Sequence, residues 1–356
     1  MTSSPQEVSI DIAPQARFDI INITQKAAKK LNGEINGFKK ATYCSFHTTA
    51  GYLEQSLCSR LNYNKERIES FIHAFQKLFP INAEYRHDQM NLRTELSDAQ
   101  KLVEPKNADS HLTFIGSGLK NCVTYANSQE IPVYFIDLDG VSQFGHKRNR
   151  QTSVMYYNKE ELVYQHKVAV PFSSHPIDSI NLRNPKLGYI DKLNSLLEKF
   201  EIEHGKVEIT LDATEKHAGL TVNEYETLLM TNDLVEVLRN PIKFMAPKGK
   251  YLLQHPNKIA SRTRDYAKYD FVHIFNELMD SLNISESVLE KILSKFMAFP
   301  AERFLRMKRS VSLLVSSTNG GPAKVVQGTY QSPILIQWKQ TPKKARNLYL
   351  KITRFK

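Results

Sequence analysis

The sequence predicts an α+β protein with mainly antiparallel sheets and packed helices, arranged as two domains. Two observations lead to this fold class. Short alternating strands are interleaved with amphipathic helices, and one set of landmarks occurs twice in the same order. A chain of 356 residues with 41% hydrophobic composition has the size of about two domains, which we place at 1–163 and 164–356.

Alternation and turn signals define the elements of the first half. The predicted strands cover residues 8–12, 40–46, 121–125, 133–138 and 152–156. Thr24 is a suitable N-cap for a helix over 25–31. Apolar residues at spacings of three and four predict a helix over 65–79, which ends before Pro80. The polar stretch 82–106 is long enough to be a functional loop.

The second half shows comparable signals. The predicted strands cover 206–211, 333–336 and 348–352, and the predicted helices cover 189–200, 223–238, 270–282 and 285–297. Each half closes with an apolar run, a polar turn, a basic stretch and one more alternating strand. A repeat of this length indicates a duplicated domain rather than a solenoid unit. The alternative is chance similarity between two β-rich halves.

Polar landmarks that could carry chemistry survive in one copy only. The first copy reads HTTAG over 47–51, YRHD over 85–88 and NADSHL over 107–112. The second copy has EKHAG over 215–219 and AERFL over 301–305. Alignment on these frames places His47 at Glu215 and His111 at Phe304. We therefore predict a chemical site in the first half and a scaffold in the second.

These motifs, together with Asp139-Gly140, resemble the YjbQ family, whose members are often described as secondary thiamine-phosphate synthases. The resemblance covers about residues 8–157, and a degenerate copy covers much of 168–355. It implies an α+β fold whose chains usually assemble as a homo-oligomer, namely a homotrimer. It also implies a small site, accepting an anion or a metal, where histidines and acidic groups meet.

The chain departs from the family pattern after each Ala-Gly. The stretch that typically reads GLTxNE is altered after Gly51, whereas the second copy keeps GLTVNE over 219–224. This allows a composite site in which Asn223 and Glu224 join the histidines of the first half, although Glu54 could act locally. The family-like DGPR becomes DGVS over 139–142, and basic residues follow only at Lys147, Arg148 and Arg150.

Three imidazoles are the candidate metal ligands. If His47, His87 and His111 meet, they could hold Zn2+ or a similar divalent metal and leave a fourth position for water or substrate. Their separations in sequence are large, so the fold must bring them together. The alternative for each histidine is an ordinary surface or core position.

Further residues are candidates for support. Asp88, Asn107 and Asp109 are the predicted catalytic set. Asn107 and Asp109 could orient an imidazole, with helix capping as the alternative. Asp88 could orient His87 or act as a general base, with a solvated loop carboxylate as the alternative. The predicted phosphate contacts are Thr48, Thr49, Arg148 and Arg150. Thr48 and Thr49 could instead only satisfy the end of the strand.

The leading functional hypothesis is a site for a small phosphorylated molecule, with chemistry like that of a thiamine-phosphate synthase or on a phosphate ester. The alternative is a non-catalytic ligand-binding or assembly protein. A third possibility is nucleic-acid contact, because residues 301–356 hold 12 basic residues against one acid while residues 1–300 are balanced. Basic residues on exposed edge strands are the simpler explanation of that segment.

Location is predicted from what the sequence contains. Three cysteines without a CxxC spacing favour a reducing, cytoplasmic compartment. No run of 18 apolar residues occurs, so no membrane span is expected.

Overall fold

A computed structural model describes residues 4–81, 83–92, 97–128, 130–142, 145–172, 178–223, 308–317, 322–337 and 341–356. The protein is α+β. Its helices are α1 (Ile23–Lys30), α2 (Gln55–Arg60), α3 (Lys65–Leu78), α4 (Asp98–Val103), α5 (Ala108–Gly116) and α6 (Tyr189–Lys199). The predicted helices at 270–282 and 285–297 lie outside the described residues.

The strands of the first half are β1 (Gln6–Ile12), β2 (Asp19–Asn22), β3 (Lys40–Ser45), β4 (Ala50–Gly51), β5 (Cys122–Ala126), β6 (Tyr134–Asp137) and β7 (Arg150–Tyr157). They form an antiparallel sheet in the order β1-β7-β3-β5 and a smaller sheet in the order β2-β6-β4. Helix α3 buries Ile68, Phe71, Ile72 and Phe75 in the core of this half. These apolar residues lie on one face of the helix, as their spacing predicts.

The strands of the second half are β8 (Glu160–Pro171), β9 (Asp178–Asn181), β10 (His204–Leu211), β11 (Ala218–Asn223), β12 (Ser310–Ser316), β13 (Lys324–Val326), β14 (Gln331–Gln337) and β15 (Ala345–Phe355). One sheet has the order β13-β12-β10-β15-β8 and the other β11-β14-β9, all antiparallel. Helix α6 buries Leu193 and Leu197 in a separate core.

The two halves have the same strand order. The run β8-β15-β10-β12 repeats β1-β7-β3-β5, and β9-β14-β11 repeats β2-β6-β4. We propose that this order reflects the predicted two-domain division. Strand β8 pairs along its length with β15, so the second unit would begin at Glu160 rather than at residue 164.

The large sheets of the two halves meet through a small apolar cluster. Cys44, Cys122 and Met155 of the first half pack with Leu314 of the second, and the ring of Tyr157 stacks on Phe355 at 3.8 Å. Both oxygens of the Glu7 carboxylate accept from serine hydroxyls, one from Ser153 and one from Ser316 of the second half. The halves therefore share a packed interface.

Several sequence predictions need correction. The N-cap of α1 is Asn22, whose side chain accepts from the Gln25 amide, because the helix begins before the predicted Thr24 cap. The polar stretch 82–106 is not one loop, since it contains short 3-10 turns and α4. Asn223 belongs to β11 and does not begin a helix, and residues 224–238 of that predicted helix lie outside the described residues.

The prediction of basic edge strands is wrong for β15. This strand lies between β10 and β8, inside the sheet. Its basic side chains instead face acids on neighbouring strands, with Lys351 at 3.6 Å from Glu208 and Arg354 at 3.1 Å from Glu161. Cross-strand pairs of opposite charge stabilise a sheet modestly.

None of the helices in the described ranges is both long and apolar enough to cross a membrane.

Candidate functional site

The segment His47-Thr48-Thr49 forms a tight loop between β3 and β4. The Ser45 hydroxyl donates to the Ala50 carbonyl at 2.7 Å and accepts from the His47 amide at 3.3 Å. These bonds satisfy backbone groups where the strand pairing ends. The loop thus holds three polar side chains at the end of β3. We call residues 46–49 the His47 loop.

His47 is partly buried and neutral. Its Nε2 accepts from the Gln151 amide at 2.7 Å, so the proton of the neutral imidazole belongs on Nδ1. Burial, helped by the charges of Arg150 and Arg148, lowers the pKa of His47 from 6.5 to about 3. At neutral pH His47 therefore acts as an N–H donor rather than as a cation.

His87 and His111 lie side by side, with ring centroids 5.3 Å apart, and both are buried. Asp88 links this pair to α5. Its Oδ1 accepts from Nδ1 of His87 at 2.8 Å and from the Ala108 amide at 3.1 Å. Asp88 therefore orients His87 and also bonds the first amide of the helix that carries His111.

The remaining acids of the site are paired with arginines. Asp109 accepts from the Arg17 guanidinium at 2.8 and 2.9 Å, and Asp137 accepts from Nε and Nη2 of Arg150, each at 2.8 Å. Burial raises the pKa of Asp109 and of Asp137, and the arginines act in the opposite direction. The first pair ties the segment after β1 to α5, and the second links β6 to β7.

Asp139 is shared between an amide and two arginines. Its carboxylate accepts from Nδ2 of Asn107 at 2.7 Å and lies 2.7 Å from Nη2 of Arg148 and 3.6 Å from Nη1 of Arg17. Asn107 occupies the N-cap position of α5 without a side-chain capping bond, and its Nδ2 donates to Asp139. Asn107 and Asp139 thus position Arg148.

A cavity of about 720 Å3 lies beside these residues. From the predicted set it is lined by His47, Thr48, Thr49, Asn107, His111, Arg148 and Arg150. The remaining predicted residues, His87, Asp88 and Asp109, are not part of its lining. We call this space the site cavity. The fold therefore brings two of the three histidines to one cavity, together with the predicted phosphate contacts.

The described residues contain no group of three or more His, Cys, Asp or Glu side chains placed to hold a metal ion. His47 illustrates the reason. Its Nε2 lone pair already accepts from the Gln151 amide, so metal binding through this atom would require that bond to break.

A second cavity of about 520 Å3 adjoins the first and shares Glu104, Pro105 and Arg148 with it. Its further charged lining residues are Arg17, Lys101, Lys106, Asp139 and Lys147. Basic side chains thus outnumber carboxylates along this approach. The field of such a cleft favours anions.

The second half completes the site cavity, which the motifs did not predict in this form. Residues Val326 to Tyr330 line it. Gln331 donates from Nε2 to the carbonyls of Ser45 at 3.1 Å and His47 at 3.3 Å. Asn223, expected to join a composite site, is buried and donates to the Thr48 carbonyl at 3.3 Å, while Glu224 lies outside the described residues.

No family model matches the sequence, and no curated protein matches it. Among solved structures, a YbjQ-like protein of unknown function from Sulfolobus solfataricus P2 matches at 14% identity and a TM-score of 0.29, covering 55% of this chain and 99% of that one. A hypothetical protein from Aeropyrum pernix K1 matches at 15% identity and a TM-score of 0.26, covering 53% of this chain and 96% of that one.

A third structure is an uncharacterized conserved protein of the yjbq/upf0047 family from Clostridium acetobutylicum. It matches at 16% identity and a TM-score of 0.28, covering 42% of this chain and 98% of that one. The chain is similar to YjbQ-like structures over about half its length. The chemistry of the site rests on the residues described above.

The counterpart of the His47 loop in the second half holds an acid. Glu215 accepts from the Asn347 amide at 2.8 Å, as His47 accepts from the Gln151 amide. It also accepts from Nη1 of Arg346 at 3.0 Å. Glu215 thus makes the contact in its loop that His47 makes in the first half, whereas Phe304 lies outside the described residues.

Proposed function

We propose that the chain binds a small phosphorylated molecule in the site cavity. The observation that carries this proposal is the convergence of Arg148, the hydroxyls of Thr48 and Thr49, and the neutral His47 on one cavity of about 720 Å3. Guanidinium, hydroxyl and imidazole N–H groups are the donors that a phosphate requires. Pockets for small ligands have volumes of this order.

Arg148 is the cation best suited to meet the ligand. Its side chain is 31% exposed, and it shares the carboxylate of Asp139 with Arg17. Arg150 is buried and bonded to Asp137, the Asp139 carbonyl and the Thr49 hydroxyl. Thr49 accepts from Arg150 through its hydroxyl oxygen, so its hydroxyl hydrogen is left to donate to a ligand. Arg150 thus acts mainly by positioning Thr49 and by its charge.

Chemistry on the bound phosphate is the finer part of the proposal. The resemblance implies a thiamine-phosphate synthase, and this activity stays a prediction. One observation favours proton transfer, because Asp88 orients His87 beside His111, and His111 lines the cavity. His47 does not serve as a general acid at neutral pH, because a pKa of about 3 leaves almost none of it protonated. A phosphate ester is therefore the substrate class to test first.

The metal site also stays a prediction. A divalent metal such as Zn2+ would draw on His87 and His111, with Asp88 behind His87 as an orienting carboxylate. Metal analysis of the purified protein beside His87→Ala and His111→Ala variants tests it. Equal metal content in all three proteins would remove the ligand assignment.

Phosphate binding is tested by calorimetric titration with inorganic phosphate. Wild-type protein should bind it, and Arg148→Ala should weaken binding about tenfold or more, since a charge-assisted contact is lost. The matched control is Arg183→Ala, because Arg183 is exposed and lines neither cavity. Equal affinities of the Arg148 and Arg183 variants would contradict the proposal.

The alternative is a non-catalytic ligand-binding or assembly protein, which would bind phosphate without turning over an ester. Turnover of a chromogenic phosphate monoester by wild-type protein, lost in Asp88→Asn, would favour the enzyme over the non-catalytic protein.

The homo-oligomer stays a prediction, and light scattering of the purified protein measures its molar mass. Nucleic-acid contact through residues 301–356 is weakened as a proposal by the acids that face β15, and salt-dependent binding to generic RNA would restore it.

A further inference from the structure

The wall of the site cavity that faces away from the motifs belongs to the second half of the chain. Residues Val326 to Tyr330 run from the end of β13 to the start of β14 and line the cavity together with His47 and Arg148. We call residues 326–330 the wall segment. A site built across the two halves gives the second half a direct part in binding.

Amide groups of the second half hold the His47 loop in place. Gln331 is buried and bonds the carbonyls of Ser45 and His47, and Asn223 bonds the carbonyl of Thr48. Carbonyls buried without partners cost free energy, so these bonds fix the conformation of the loop. The second half therefore positions the groups that would meet the phosphate.

Gly328 brings the backbones of the two halves into direct contact. A Cβ atom at this position would lie 1.9 Å from the Phe46 carbonyl oxygen and 2.8 Å from its carbon. The obstructing atoms are backbone and cannot move aside as a flexible side chain would. The wall segment thus approaches the His47 loop at a distance that only glycine permits.

The wall segment differs chemically from the rest of the cavity. It contributes Val326, Gln327, Thr329 and Tyr330, none of which is charged, and Phe46 adds a second aromatic ring to the lining. Tyr330 is 55% exposed, so its ring presents apolar surface within reach of a ligand. The charged lining residues Arg148, Arg150 and Glu104 all come from the first half. The lining therefore combines phosphate-binding groups with a separate aromatic and apolar surface.

We propose that the second half recognises the organic part of the ligand through Tyr330 and positions the His47 loop through Gln331 and Asn223. The ligand class is then a phosphate monoester of an aromatic or flat apolar group. This inference rests on the proposed function. A cavity of about 720 Å3 leaves room for such a group beside the phosphate.

Two probes, inorganic phosphate and phenyl phosphate, test the role of Tyr330. Wild-type protein should bind phenyl phosphate more tightly than inorganic phosphate. Tyr330→Ala should lower the affinity for phenyl phosphate about tenfold, because ring stacking is lost. Its affinity for inorganic phosphate should stay within about twofold of wild type, because the phosphate contacts remain. Tyr330→Phe keeps the ring and should bind both probes like wild type.

The outcomes separate the two proposals. Absence of inorganic phosphate binding by wild-type protein overturns the proposed function and this inference with it. Binding of inorganic phosphate with no selective loss of phenyl phosphate in Tyr330→Ala overturns this inference alone.

The positioning role of Gln331 has its own readout. Gln331→Leu removes the donors to the His47 loop. Relative to wild type, hydrogen exchange should therefore become faster at the Gln151 amide, which donates to His47, and change less at the Val154 amide on the same strand. Phosphate affinity should fall about tenfold. Gln165→Leu, on the exposed face of β8, is the matched control. Uniformly faster exchange, or unchanged phosphate affinity in a folded Gln331→Leu protein, would overturn the positioning role.

Discussion

The two halves arrange one buried arginine in two different ways. In the first half Arg150 pairs with Asp137, on the neighbouring strand β6, and the loop position is the neutral His47. In the second half Arg346 pairs with Glu215, on the loop, and the strand position is Gln337. Strand pairing places Asp137 opposite Ala50 and Gln337 opposite Ala218, so these positions correspond.

The difference shows where the carboxylate partner of the arginine must lie if an anion site is to remain available. A buried arginine needs one acid, and either position can supply it. When the strand supplies the acid, the loop can hold an imidazole that lines a cavity. When the loop supplies the acid, the carboxylate itself fills the place of an anion and accepts from Arg346 and from the Asn347 amide. In the second half the carboxylate of Glu215 therefore takes up donors that could otherwise serve an anion.

The largest expected effect comes from breaking the pair in the second half. Glu215→Gln should lower the free energy of unfolding by about 3 kcal/mol, because Arg346 keeps a buried charge without its acid. Urea denaturation measures this loss. The double variant Glu215→Gln with Gln337→Glu should recover stability, since it recreates the arrangement of the first half. A loss below about 1 kcal/mol, or no recovery, would contradict the comparison.

Converting the first half to the arrangement of the second should remove phosphate binding. His47→Glu places a carboxylate beside Arg148 and Arg150, where it competes with the ligand and repels it. We expect phosphate affinity to fall about a hundredfold, or about 2.7 kcal/mol. His47→Gln, which is neutral, should lose much less. Similar affinities of the two variants, measured by calorimetry, would show that charge at this position does not decide binding.

The pH dependence of stability should report the neutral state of His47. Its pKa is about 3 in the folded protein against 6.5 ordinarily, so the unfolded chain binds the extra proton between these values. The contribution of His47 to the free energy of unfolding is fully present above pH 6.5. It is lost as the pH falls toward 3, by up to about 1.4 kcal/mol per pH unit. The His47→Gln variant should lack this part of the slope in denaturation series at several pH values. A His47 imidazole that titrates near 6.5 by NMR would refute it.

The elements that sequence predicts well are those governed by local periodicity. Helix α3 and strands β3 and β10 appear close to their predicted bounds because one face of each is buried. The helix over 189–200 is likewise found as α6. The cap of α1 was misplaced by two residues, since Asn22 and Thr24 both suit an N-cap and tertiary pairing decides between them.

The site residues that the sequence predicts are likewise those that belong to local motifs. Motifs identified His47, Thr48 and Arg148, which share a cavity. They did not identify Gln331 or Gly328, whose roles depend on contacts across more than 280 positions of sequence. Gly328 in a short turn was the available signal, yet nothing local indicates that its neighbour is Phe46. Long-range packing of the two halves supplies that information.

The most direct test of the account is a crystal structure of the protein grown with inorganic phosphate. The account predicts a phosphate ion in the site cavity within hydrogen-bond distance of the Arg148 guanidinium and the Thr48 hydroxyl, with the Glu215 region of the second half empty of phosphate. A site cavity without phosphate at a saturating concentration, or phosphate bound only beside Arg346, would contradict it.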